Sequence, residues 1–127
     1  MEVRDAVEAD AGRLAALADA PAETMVDLVH DRTVSIAEEA DDIVGFVSFD
    51  ARRDAVHITQ FDGRREAVER LLDEPIRFAR NEDMDVELLV EESRDDLRRA
   101  AADAGFREVG AGPRFGETKT VKFRLDS

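Results

Sequence analysis

The 127-residue chain contains no cysteine, so it forms neither a disulfide nor a thiolate metal site and offers no thiol nucleophile. Tyrosine is missing too, which removes the phenol as a proton donor. Lysine is nearly absent: Lys119 and Lys122 are the only two, and arginine supplies the rest of the 18 basic residues. No stretch approaches the roughly 20 apolar residues of a membrane span. The opening MEVRDAVEAD has neither a basic start nor an apolar segment, so no secretory leader is expected, and a cytoplasmic location is. The length suits one domain, residues 1–127, large enough to bury a core.

What is abundant is acid. Aspartate and glutamate total 31, giving a net charge of −13. Self-repulsion of that size opposes compaction, and the screening length falls to about 3 Å near 1 M salt. Abundant acid, scarce lysine and many alanines resemble the proteins of salt-accumulating halophiles. An acidic surface that attracts a cationic partner is the alternative, but the acids are spread along the whole chain. The salt reading predicts cooperative folding in molar KCl and loss of tertiary structure in dilute buffer. Either way the surface repels nucleic-acid phosphates, so neither DNA nor RNA is an expected partner.

Apolar spacing orders the elements. Glu2 to Ala6 has strand character; Leu14, Leu17 and Ala18, then Met25, Leu28 and Val29, fall at helical spacing. Pro21 suits the first turn of the second helix. Thr33 to Ala37 and Ile43 to Phe49 read as strands around a turn at Ala40-Asp41-Asp42, and Ala55 to Phe61 as a third. Val68, Leu71, Leu72, Pro75, Ile76 and Ala79 make one continuous stripe. Pro75 inside it costs about 3 kcal/mol unless the helix bends, which predicts a kink or two short helices. Val86 to Val90 is a strand, Ser93-Arg94-Asp95-Asp96 an S-x-x-D helix start with the serine as cap, and Gly105 a left-handed stop. Phe106 to Val109 and Val121 to Leu125 are strands around a glycine-rich loop, Gly110 to Gly116. The order β-α-α-β-β-β-α-β-α-β-β predicts a mixed, mostly antiparallel α/β sheet with helices on both faces.

The stretch Gln60 to Leu72, QFDGRREAVERLL, joins a strand end, a glycine and a helix start. Those are the parts of a phosphate cradle, in which amides converge at a helix N-terminus and glycine permits close approach.

Four segments carry a resemblance to the GNAT acetyltransferases. Val3 to Asp10, VRDAVEAD, is similar to that family's "IRPATEAD" opening. Val34 to Glu39 with Ile43 to Val47 is similar to its "VAEEDGEIVGFV" hairpin. Ile58 to Leu72 lies where its "V-x-P-x-x-R-G-x-G-x-G-x-x-L-L" motif belongs, and Val90 to Phe106 aligns with "V-x-x-x-N-x-x-A-x-x-x-Y-x-x-x-G-F". The resemblance implies acetyl-CoA bound where two central parallel strands splay, Ala55–Phe61 and Val86–Val90. It implies transfer of the acetyl group to a primary amine of a small molecule or protein. It places the cofactor against Ile58, Gln60, Gly63, Arg64, Arg65, Glu66, Ala67, Val68 and Arg94.

The departures matter. With Leu71-Leu72 set on the paired leucines, R-G-x-G-x-G falls on Gly63 to Val68 and every motif glycine is replaced; a second register, Gln60-x-x-Gly63-x-Arg65, recovers one. In the first register Glu66 aims a carboxylate at the pyrophosphate, while Arg64 and Arg65 offer forked donors. The motif tyrosine falls on Ala101 and the asparagine on Arg94. A fold that has lost transfer and serves as a ligand-sensing or protein-interaction module is therefore the alternative function.

His57, on the strand beside the cleft, is the candidate base, against the plainer reading of an ordinary strand histidine. His30, near a helix end, reads as a dipole partner. Two lone histidines do not suggest a metal site. Glu38, Glu39, Asp41 and Asp42 read as a solvated hairpin, and Arg98-Arg99 as an exposed helix face before a 3′-phosphate clamp. The Gly110–Gly116 loop reads as a strand connection before a cap on the acceptor site. Thr118–Leu125 reads as an edge strand open to pairing in a homodimer.

Overall fold

Alternation sends neighbouring strand residues to opposite sides of one sheet. In the computed structural model, which describes residues 1–127, Ile36 and Phe46 face one side and Ala37 and Val47 the other. These residues belong to β2 (Thr33–Glu39) and β3 (Asp42–Ala51), joined by a two-residue turn with Ala40 and Asp41 both at positive φ, 51° and 67°. β1 (Glu2–Asp5) pairs with β2, and β4 (Ala55–Gly63) with β3, all antiparallel. β5 (Asp85–Glu91) runs parallel to β4; β7 (Thr120–Leu125) and β6 (Arg107–Ala111) complete the spatial order β1-β2-β3-β4-β5-β7-β6.

Helices α1 (Ala11–Ala18) and α2 (Ala22–Asp31) bury Leu14 and Met25 against Ile36 and Phe46. On the other face α3 (Arg65–Asn81) and α4 (Asp95–Asp103) cover the larger core, with Leu71, Leu72, Ala100 and Ala101 among Val47, Val56, Leu88 and Phe123. The element order and the mixed sheet are those predicted from the sequence. No helix is long and apolar enough to cross a membrane.

Three local expectations change, and of the two alternatives at Pro75 one falls. Pro75 does not divide its helix: α3 is a single element, and all six stripe residues, Pro75 included, are buried. Burial of that stripe outweighs the one hydrogen bond proline removes, about 3 kcal/mol. Ser93 is not the cap of α4; Arg94 holds that position with no side-chain cap, and Asp95 N donates to the carbonyl of Ser93 instead. Gly110 and Ala111 belong to β6, so the loop is shorter than Gly110–Gly116. β7 lies inside the sheet with both sides paired, so Thr118–Leu125 offers no edge for a homodimer; the sheet's edges are β1 and β6. Gly105, at φ +101°, ends α4 as expected, with Phe106 N donating to Ala101 O at 3.1 Å.

A buried carboxylate pins the first turn to the sheet. Asp10 is 2% exposed and accepts from Val7 N at 2.8 Å, from both Arg4 Nη atoms at 3.0 Å and from Arg13 Nη2 at 2.9 Å. The Arg4 guanidinium, foremost, holds the Asp10 carboxyl down at about 2, against an ordinary 3.8. A folded-state pKa below the unfolded one gives stability that is complete above about pH 4 and vanishes as pH falls through about 2. Asp10→Asn is therefore expected to cost roughly 2 kcal/mol at neutral pH. Urea melts of both proteins should converge as pH drops through that window; a gap independent of pH would contradict the assignment.

Candidate functional site

The parallel pair β4–β5 is zipped over only four positions, from Ala55↔Asp85 to Ile58↔Leu88. Beyond them β4 continues to Gly63 and β5 to Glu91 without facing one another. The cause is local. Ser48 opposes Gln60 and Phe49 opposes Ile58, so Thr59 is an extra residue, a bulge that bends β4 away from its neighbour. The Thr59 hydroxyl secures it, donating to Ser48 O at 3.2 Å and lying 2.8 Å from Ser48 Oγ. The wedge so opened is a cleft of about 430 Å³ lined by Thr59, Gln60, Phe61, Asp62, Leu89, Val90, Glu91, Arg94, Leu97 and Phe115 among others.

At the wide end of the wedge α3 begins. Its first intrahelical bond runs from Val68 N to Arg64 O at 2.9 Å, and no side chain caps it. The amides of Arg65, Glu66 and Ala67 thus point out of the N-terminus without partners, at the positive end of the helix dipole. Between this turn and α4 lies a hollow of about 130 Å³ lined by Gly63, Arg65, Val68, Asp96, Leu97, Arg99 and Ala100. Arg65 reaches Glu69 at 3.1 Å and Asp103 at 3.0 Å, whereas Arg99 has no ionic partner.

Gly63 sits here for a packing reason. At φ +137° it lies against Gly45 of β3, and a Cβ on it would stand 2.4 Å from Gly45 Cα and 2.5 Å from Val44 O. The strand could not close against β3 with any other residue.

The nine positions the sequence pointed to are not equivalent. Gln60 and Arg94 line the cleft; Gly63, Arg65 and Val68 line the hollow. Ile58 is buried at the last zipped pair and Ala67 is buried under Gly45. Arg64 points elsewhere, to Glu39 at 3.1 Å and a separate hollow beside Leu17 and Ile43. Glu66 is exposed and lines neither cavity. The carboxylate at the mouth is Asp62 instead, which Arg94 grips with Nη2 at 2.9 Å and Nη1 at 3.3 Å while also holding Asp96 at 3.0 Å. Asp96 first, and then Asp62, raise the Arg94 guanidinium above its ordinary value.

His57 lies one pair below the splay, opposite Glu87, on the face away from α3. Its Nε2 is 3.6 Å from both Asp54 and Glu87, outside hydrogen-bond range. These three groups have ligand atoms within 4.8 Å of one another, but Glu87 is already engaged by Arg124 at 2.7 Å and Lys122 at 3.2 Å. His30 meets Glu8 at 3.3 Å in the last turn of α2, well away from the cleft. Of the hairpin acids, Glu38 is held by Arg4 at 3.4 Å and Glu39 by Arg64. Arg98 binds Glu108 at 2.9 Å, as an exposed helix face would, and only its neighbour Arg99 enters the hollow. Ala101 is fully buried in the main core, so α4 presents no proton donor there.

Thr59, Asp62 and Leu89 carry no sequence signal of their own. Arg99 and Phe115 fall in segments the sequence offers as a phosphate clamp and an acceptor-site cap, and the separation of Arg99 from Arg98 needs the helix phase relative to α3.

No protein-family model and no curated protein matches this sequence. Solved structures do match in shape. A ribosomal-protein-alanine N-acetyltransferase from Brucella melitensis has a TM-score of 0.81 at 18% identity, over 100% of both chains. The yncA protein of Salmonella typhimurium, solved with its cofactor acetyl-CoA, has a TM-score of 0.78 at 16% identity, over 98% of this chain and 92% of that one. A GNAT-family acetyltransferase from Bacillus cereus has a TM-score of 0.75 at 15% identity, over 99% and 96%. The chain has the GNAT fold.

Proposed function

We propose that this chain is a divergent GNAT-type N-acetyltransferase that moves an acetyl group from acetyl-CoA to a primary amine of a small molecule or protein. The observation that carries the reading is the splay of β4 from β5 at Ile58/Leu88, ending at three unpartnered amides of α3. The residues present fit the cofactor. Unpaired amides of Arg65, Glu66 and Ala67 suit a pyrophosphate, and Arg65 and Arg99 add charge in the hollow beside that turn. The wedge between Thr59–Asp62 and Leu89–Glu91 is walled by Phe61, Val90 and Leu97, apolar enough for a pantetheine arm.

Bound acetyl-CoA supplies a thioester carbon that the amine nitrogen attacks, forming the C–N bond as the C–S bond breaks. The chain must then take one proton from the amine and see one delivered to the departing sulfur. His57, on the open face next to the splay, is the base this reading assigns. No phenol is available for the second proton, so water delivers it. General-acid help is typically worth about 10² to 10⁴-fold, and its absence predicts a slow enzyme.

A second reading keeps the binding and drops the transfer. It is supported by Ala101 in place of a donor and by the Arg94–Asp62 pair across the mouth. Thermal unfolding in molar KCl with and without acetyl-CoA, followed by thiol release with amines, separates the readings. At 100 times its dissociation constant a ligand adds about 2.7 kcal/mol, a rise of several degrees. No rise at millimolar acetyl-CoA would overturn the transfer reading; a rise without turnover of any amine would leave the second.

A further inference from the structure

α1 and α2 cover only part of the sheet face opposite α3 and α4. α1 and α2 cover β2 and β3, while β4, β5 and β7 turn His57, Glu87, Leu89 and Lys122 outward, alternate to core residues. A cavity of about 330 Å³ opens there and shares Thr59 and Leu89 with the cleft, so the two spaces meet where β4 and β5 part.

Its charges are unusual for this chain. Two cations, Arg52 and Lys122, line it against one carboxylate, Glu87, in a protein of net charge −13. The ion pairs around them are unequal. Glu87 takes its short bond from Arg124, 2.7 Å, with Lys122 at 3.2 Å. Asp50 takes its short bond from Arg32, 2.7 Å, with Arg52 at 3.5 Å. Each carboxylate thus has its principal partner elsewhere. Lys122 and Arg52, 42% and 52% exposed, hold only the longer contacts and can turn to a new anion without stranding a buried acid. Asp54 at the rim opposes an anion, but at 70% exposure its charge is largely screened. Ile58, Leu89 and Pro113 form the apolar wall.

We propose that this cavity anchors the acceptor, and that the acceptor is an amine that also carries a carboxylate, of the amino-acid class with an apolar side chain. Arg52 and Lys122 hold the carboxylate, and the amine lies toward Thr59 and Leu89, at the head of the splay. The proposal rests on the acetyl-transfer reading above, and the test separates the two.

L-Phenylalanine and phenethylamine differ by one carboxylate. With acetyl-CoA, kcat/KM is expected to favour phenylalanine by about tenfold or more. In the double variant Arg52→Gln/Lys122→Gln the ratio should fall to near one. A ratio near one in the unaltered protein, or one that survives in the double variant, overturns the proposal. So does a protein stabilised by acetyl-CoA that turns over neither amine. If acetyl-CoA has no effect at all, the transfer reading fails, and the subsite is decided by 3-phenylpropionate alone. Perturbation of the His57 imidazole resonances in the unaltered protein but not in the double variant supports the carboxylate subsite; no perturbation overturns it.

Discussion

Gly63→Ala is expected to cost about 3–5 kcal/mol of stability and to lower the melting temperature by roughly 10–20 °C. Two effects add. Positive φ at +137° is strained for any side chain, worth about 1–3 kcal/mol. The new Cβ would also meet backbone, Gly45 Cα at 2.4 Å and Val44 O at 2.5 Å. Backbone cannot swing aside as a side chain does. Val44 O also accepts from Arg64 N at 2.9 Å, so relief would break the bond that delivers the chain into α3. Gly110 provides the control. Its φ is +140°, yet a Cβ there has no neighbour within 4 Å. Gly110→Ala should therefore show the strain alone, about 1–3 kcal/mol, and the difference between the two urea melts isolates the contact. Equal losses would mean that Gly63 is required for its backbone conformation only and that the strands do not close as described. Gly63 lets β4 lie on β3, and the N-terminus of α3 inherits its position as a consequence.

What the sequence made legible follows from the range of each signal. The α3 stripe, Val68 to Ala79, is a periodic pattern inside one element, so helix, face and burial could all be read from it. The β2–β3 hairpin is equally local. The splay was expected only through resemblance, because its cause is one unpaired residue. Thr59 is unremarkable in composition, and a bulge shows only once Ser48 and Phe49 are set against Gln60 and Ile58. The Asp62–Arg94 grip joins residues 32 apart whose side chains meet because α4 starts beside the end of β4. Ser93 misled because an S-x-x-D pattern also fits a turn that precedes the helix, and here the chain turns one residue later. The place of β7 inside the sheet was hidden for a related reason: the last strand in sequence inserts between β5 and β6.

Removing the two cations of the α3–α4 hollow is expected to weaken acetyl-CoA binding about a hundredfold, with little change in melting temperature. A charge-assisted hydrogen bond contributes about 1.5–3 kcal/mol. Arg99 has no ionic partner to leave, so Arg99→Ala should cost about tenfold, the low end of that range on an exposed helix face. Arg65 contributes less than its charge suggests, because Glu69 and Asp103 already hold it at 3.1 and 3.0 Å and must share it. Together Arg65→Ala and Arg99→Ala should approach 3 kcal/mol, roughly two decades in affinity. Arg64→Ala is the informative comparison. It lies next to Arg65 in sequence and carries the same charge, but it faces Glu39 and a different hollow. Its loss should change affinity by less than about threefold. Isothermal titration at matched ionic strength measures all three, and dephospho-CoA assigns Arg99 to the pyrophosphate or the 3′-phosphate by whether its effect persists. If Arg64→Ala hurts as much as the double variant, what the protein senses is net charge, and the phosphates do not lie between α3 and α4.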